Sequence, residues 1–123
     1  MVDWRKQLRT FLLTQFSNVY ATDSLPNDYK PSNGIAVTFE TRGGKQNDSS
    51  TTLTVSVQFK IYGTSLTDII NADKLLYDTL NNEDEAFLSA RLERPSLQRT
   101  ETNANLLWQY TLAYYTIIFE NNE

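Results

Sequence analysis

Thr51–Tyr62 constrains the fold more than any other stretch of this chain. Leu53, Val55, Val57, Phe59 and Ile61 fall on one side of it. Thr52, Thr54, Ser56, Gln58, Lys60 and Tyr62 fall on the other. Successive side chains of a strand point to opposite faces of a sheet, so the stretch reads as a strand with one apolar and one polar face. A strand buried on both faces would be a near-continuous apolar run. The expected sheet is therefore covered on one side only.

Gly63 breaks the alternation, and Ser65-x-x-Asp68 has the form of a capping box. From Leu66 the period becomes helical, with Leu66, Ile69, Ile70, Ala72, Leu76 and Leu80 on one stripe. Asn81 and Asn82 suit a helix end because Asn tolerates left-handed geometry.

The remaining chain supplies partners for this strand–helix unit. Asp3 reads as an N-cap, and Trp4, Leu8, Phe11, Leu12 and Phe16 or Val19 recur at helical spacing, which predicts a first helix over roughly 3–18. Tyr20–Asn33 holds two prolines and several Asn and Asp residues and reads as surface loop. Ile35, Val37 and Phe39 predict a short strand, followed by a flexible loop over Thr41–Ser50. Ala86–Leu92 alternates, with Ala86, Leu88, Ala90 and Leu92 on one side, and Pro95 marks an edge, a bulge or the strand's end. Gln98–Asn105 is polar turn material. Leu106–Phe119 is a long aromatic and β-branched strand, expected at the centre of the sheet or at a subunit contact. The expected class is α+β: one domain over 1–123, with a four-stranded, mostly antiparallel sheet and two helices packed on one face, in the order α-β-β-α-β-β.

Composition narrows the chemistry. The 123 residues contain no Cys and no His. That excludes disulfides and thiolate sites, and removes the usual general base near neutral pH and the commonest metal ligand. No G-x-S-x-G elbow is present. Glu83, Asp84 and Glu85 read as a solvated turn, since adjacent carboxylates point apart. No catalytic residue, cofactor or metal site is expected. No apolar run approaches the roughly 20 residues of a membrane span, and the charged, amphipathic N-terminus is not a signal peptide. The net charge of −4 is uneven: residues 1–45 hold six Lys/Arg and four Asp/Glu, whereas residues 46–123 hold five and eleven. An acidic chain is a poor nucleic-acid binder, and the split favours head-to-tail contacts between copies.

Two stretches are left as candidate sites. Arg42-Gly43-Gly44-Lys45 lacks phosphate-loop spacing. It reads either as a plain flexible loop or as one that orders against a partner or subunit. The polar row Thr54, Ser56, Gln58 and Lys60 reads as plain surface, or as the wall of a lumen or interface if copies assemble.

The stretch VQFKIYGTSLTDIINADKLLYDTLNN resembles the central strand–helix unit of tail-terminator, or tail-completion, proteins of long-tailed bacteriophages, some of them called minor capsid proteins. Ala72, Leu75, Leu76 and Leu80 fill the places of the helix pattern found there. SARLERPSLQRTETNANLLWQYTLAYYTIIF is similar to that family's last hairpin, with Asn103-Ala104-Asn105 where a Gly-containing turn is common. The resemblance implies a structural virion protein, assembled in the host bacterial cytoplasm, without enzymatic activity. It implies a homo-oligomeric ring, typically a hexamer, that caps the tail tube, ends its polymerisation and docks to the head connector. DNA would pass through the ring without specific binding. A head-completion or connector protein at the same joint, and a small ligand- or peptide-binding module, are the alternatives.

Overall fold

The computed structural model describes residues 3–22, 25–26, 29, 34–48, 51–82, 87–103 and 106–120. Along the chain run α1 (Trp4–Leu12), β1 (Val19–Tyr20), β2 (Ala36–Asp48), β3 (Thr52–Gly63), α2 (Leu66–Asn82), β4 (Ser89–Asn103) and β5 (Leu106–Glu120). The strands form one sheet in the order β1-β2-β3-β5-β4. β1 runs parallel to β2, and the other neighbours are antiparallel.

The sheet therefore has five strands and is mixed, not four-stranded. The added strand is two residues long, too short to leave a period in the sequence. Burial of Val19 draws it in: Val19 is buried in the core, pairs with Val37, and is preceded by Asn18, whose carbonyl accepts from Val37 N–H at 2.9 Å.

β3 is central and keeps its expected faces. Leu53, Val55, Val57, Phe59 and Ile61 are fully buried. Opposite them on β5 stand Phe119, Ile117, Tyr115, Ala113 and Thr111. Both helices contribute to the cluster over this face: Trp4, Leu8 and Leu12 from α1, and Ile69, Ala72, Leu76 and Leu80 from α2. Each of the buried Leu and Ile side chains contributes about 1.5–3 kcal/mol by leaving water. Leu66 and Ile70, expected in that stripe, are instead 44% and 47% exposed. Ile70 lies about a quarter turn round from Ile69, and Leu66 sits in the first turn on the same flank.

α1 is capped as expected, with Asp3 accepting from Lys6 N–H at 3.2 Å, but it stops at Leu12. The Thr14 hydroxyl donates to the Phe11 carbonyl at 2.7 Å, a local bond that competes with helix continuation. Phe16 and Val19 still reach the core from the turn beyond.

Two expected loops are strand. β2 continues through Arg42–Lys45 to Asp48, with a register shift between Thr41 and Gln46. β4 continues through Gln98 to Asn103, so those polar residues lie on an edge strand, where polarity costs nothing. Pro95 falls at the register shift between Arg94 and Leu97, the kind of place an edge strand tolerates proline. Phe87 is buried and Leu88 is 56% exposed, the reverse of the expected alternation, because the strand begins only at Ser89.

The far face of the sheet is not wholly open. At one end Tyr29, Ala36 and Tyr62 form a second buried cluster with Tyr20, Leu25 and Tyr110 packed against it. The Tyr29 hydroxyl donates to the Gly34 carbonyl, and Asn18 Nδ2 donates to Tyr29 Oη at 3.3 Å and to the Ile35 carbonyl at 3.1 Å. Gly34 takes a φ of 89°, a left-handed conformation that favours glycine. Burial, then the neighbouring Tyr20, pushes the Tyr29 phenol up to about 12.

Candidate functional site

The polar row of β3 lies on the face away from the helices, with Thr54, Ser56, Gln58 and Lys60 half-buried. Pairing with β5 places Ile118, Thr116, Tyr114 and Leu112 opposite these four in turn. The face is therefore a band of polar groups beside a strand that sets two hydroxyl-bearing residues, Thr116 and Tyr114, between Ile118 and Leu112.

Glu93 joins the two strands. The Thr116 hydroxyl donates to Glu93 Oε1 at 2.5 Å, and the Ser56 hydroxyl donates to the same oxygen at 3.4 Å. Glu93 reaches them because β4 shifts register between Leu92 and Arg94, where a bulge re-aims the chain. One carboxylate thereby ties β4, β5 and β3 together. Toward the covered end of the face, Lys60 Nζ lies 5.6 Å from the Tyr110 ring centroid, and Tyr110 in turn lies 5.3 Å from Tyr62. Such a cation over a ring contributes about 0.5–1 kcal/mol when exposed.

The structure brings the two sequence candidates to one place. Val57 pairs with Thr41 and Val55 pairs with Gln46, so Arg42, Gly43, Gly44 and Lys45 stand opposite Ser56 alone. Four residues against one is a large bulge, and paired glycines make that backbone accessible. Side chains at 42–45 lie outside the described residues. Glu93 and Thr116 were not legible as members of this face. The signal for Thr116 was the even-numbered parity it shares with Tyr110, Leu112 and Tyr114, which needs the β3–β5 register to be useful; Glu93 arrives through the register shift of β4, which leaves no period in the sequence.

The face offers hydroxyls, an amide, a carboxylate and an ammonium, already engaged in part with one another. Their chemistry is that of hydrogen bonding and contact. Among the described residues, no group of three or more Asp, Glu, His or Cys is placed to hold a metal ion, and no helix is long and apolar enough to cross a membrane. A cleft of about 400 Å³ lies on the helical side, between the turn after α1 and α2. Its walls include Phe16, Asn18, Asp68, Asn71 and Leu75. It is separate from the polar face.

No protein-family model matches this chain, and no curated protein matches it in sequence. Among solved structures, it is similar to a chain from the virion of a native gene transfer agent (GTA) particle. The TM-score is 0.51 at 12% identity, over 96% of this chain and 92% of that one. The two share a fold across nearly their whole lengths.

Proposed function

We propose that this chain is a structural virion protein of tail-terminator type. In this reading copies form a ring, typically of six, that caps the tail tube, stops its growth and presents a docking surface to the head connector. DNA passes through the ring without being gripped. The observation that carries the reading is the fold shared end to end with a chain of a gene transfer agent virion. The resemblance of residues 57–82 to the strand–helix unit of tail terminators supports the finer assignment.

Two features of the molecule are consistent with assembly. The polar face is tied across β3, β5 and β4 by the hydroxyls of Ser56 and Thr116 donating to Glu93, which suits a preorganised contact surface. The charge of −4 suits a channel through which phosphates slide. The function requires no chemistry, cofactor or metal in this reading.

Light scattering and negative-stain images of the purified protein, with and without tail-tube protein, test it. The expected result is a closed ring, or ring assembly on tube ends. A strict monomer that ignores tube ends would overturn it, and binding to the head side alone would favour the head-completion role.

A further inference from the structure

We propose that the cleft on the helical side is a binding site for a basic side chain of a partner protein, a lysine or arginine carried on an extended segment. This goes beyond the ring reading and does not depend on it.

The cleft lies between the turn after α1 and α2 and holds about 400 Å³. Ligand sites run from roughly 300 to 1,000 Å³, so it has room for one side chain and its flanking backbone. Its lining is of two kinds. Phe16, Ile35, Ala72 and Leu75 are apolar, and Leu75 is 38% exposed, so part of that lining is open to an occupant. Gln15, Asp68 and Asn71 are polar and exposed. A long basic side chain has the same two parts: an alkyl stem that packs on apolar surface and a charged head that stays wet.

The sign of the charge is set by Asp68. Among the described residues lining the cleft, it carries the only formal charge. Arg9, the basic residue in the last turn of α1, is engaged elsewhere: its Nε donates to the Val19 carbonyl at 2.8 Å. Asp68 stands in the first turn of α2. A helix N-terminus carries about half a positive charge, and a full carboxylate charge outweighs it. Two N–H groups of that turn are already taken. Asp68 N–H donates to the Ser65 hydroxyl at 3.5 Å, and Ile69 N–H donates to the Ser65 carbonyl at 3.2 Å. An anion would meet net negative charge and few free donors, whereas a cation meets a carboxylate beside an apolar wall.

The two amides select a peptide over a free amine. Gln15 and Asn71 can each donate and accept. They can therefore bond the N–H and C=O groups that flank a basic residue in an extended chain, and a free alkylamine has no such groups.

The test is an NMR titration of the full chain with acetyl-Gly-Lys-Gly-amide, followed through the backbone amides. Amides of residues 15–18 and 68–75 should shift, with saturation in the millimolar range. Asp68→Asn should weaken binding by about fivefold, and Leu75→Gln should weaken it by a similar factor because the stem loses its apolar contact. Both positions are exposed, and an unchanged spectrum away from the cleft shows that each variant is folded. The same peptide with norleucine in place of lysine should bind more weakly, and the glutamate peptide more weakly still. Equal binding of the norleucine peptide, tighter binding of the glutamate peptide, or shifts that Asp68→Asn leaves unchanged would overturn the proposal. So would butylamine binding as tightly as the lysine peptide, which would make the cleft a site for free amines. None of these outcomes bears on ring formation, which the titration does not require.

Discussion

Single residues set how firmly the helical layer is held to the sheet, and Arg5 and Glu40 show it best. Arg5 Nε and Nη2 donate to Glu40 Oε1 at 3.1 and 2.5 Å, and Thr41 N–H donates to the same oxygen at 2.8 Å. The guanidinium also lies 4.5 Å from the Trp4 ring centroid. Burial raises the Glu40 carboxyl, but the bonds from Arg5 and Thr41 and the charge of Arg5 outweigh it. The group therefore titrates below the usual carboxylate range. A depressed folded value means that ionised Glu40 favours the folded state. Its contribution is complete above the ordinary carboxylate value and is lost as pH falls through the lowered one. The pair is part-exposed, at 41% and 33%, so solvent screening keeps its contribution under about 1 kcal/mol. Glu40→Gln should melt slightly lower than the native chain at pH 7, and the gap should close toward pH 3. Thermal melts across that range decide it; a gap independent of pH would assign the loss to shape alone. The β3 alternation was readable residue by residue because burial obeys a period of two there. Tyr62 was not: its burial depends on Tyr29, more than thirty residues away, which no local period reports.

At the scale of elements, the two helices and the β3–α2 unit were legible, and the strand ends were not. Sequence periodicity marks an element only while one face is buried. β2 beyond Thr41 and β4 beyond Leu92 continue as polar edge segments, so their residues looked like loop. The candidate loop at Arg42–Lys45 is consequently a bulge within β2. The start of β4 shows the opposite failure, where an apolar alternation promised strand one turn too early. Phe87 there acts as a plug: its ring meets Phe11 edge-on at 5.4 Å and Phe119 at 6.1 Å, so it locks α1 and β5 against the entry to β4. Truncating a buried Phe costs about 3–5 kcal/mol. Phe87→Ala should therefore lower the unfolding free energy by several kcal/mol, while Leu88→Ala, at an exposed site, should change it by under about 0.5 kcal/mol. Denaturant titrations of both variants check the assignment, and equal losses would refute it.

At the scale of the whole molecule, the architecture was readable because the alternation of β3 and the stripes of both helices are what bury the core. The candidate face was readable only as half of β3, because its other members arrive through pairing with β5 and a bulge in β4. The same topology predicts how stability is distributed. β3 and β5 are flanked by strands on both sides, and one of their faces lies under both helices. β5 extends past β3, however: the pairing ends at Gly63 with Gln109, and Leu106–Trp108 continue beside Glu101, Thr102 and Asn103 of β4 alone. A two-stranded ribbon is marginal by itself, because few apolar contacts back its hydrogen bonds. Amides of residues 53–61 and 111–119 should therefore exchange only with global unfolding. Those of 101–103 and 106–108 should exchange faster by at least about a hundredfold, since local opening there leaves the core intact. Exchange measured by mass spectrometry on the dilute chain tests this, and uniform protection along β5 would show that the end of the hairpin is held by something besides its own pairing.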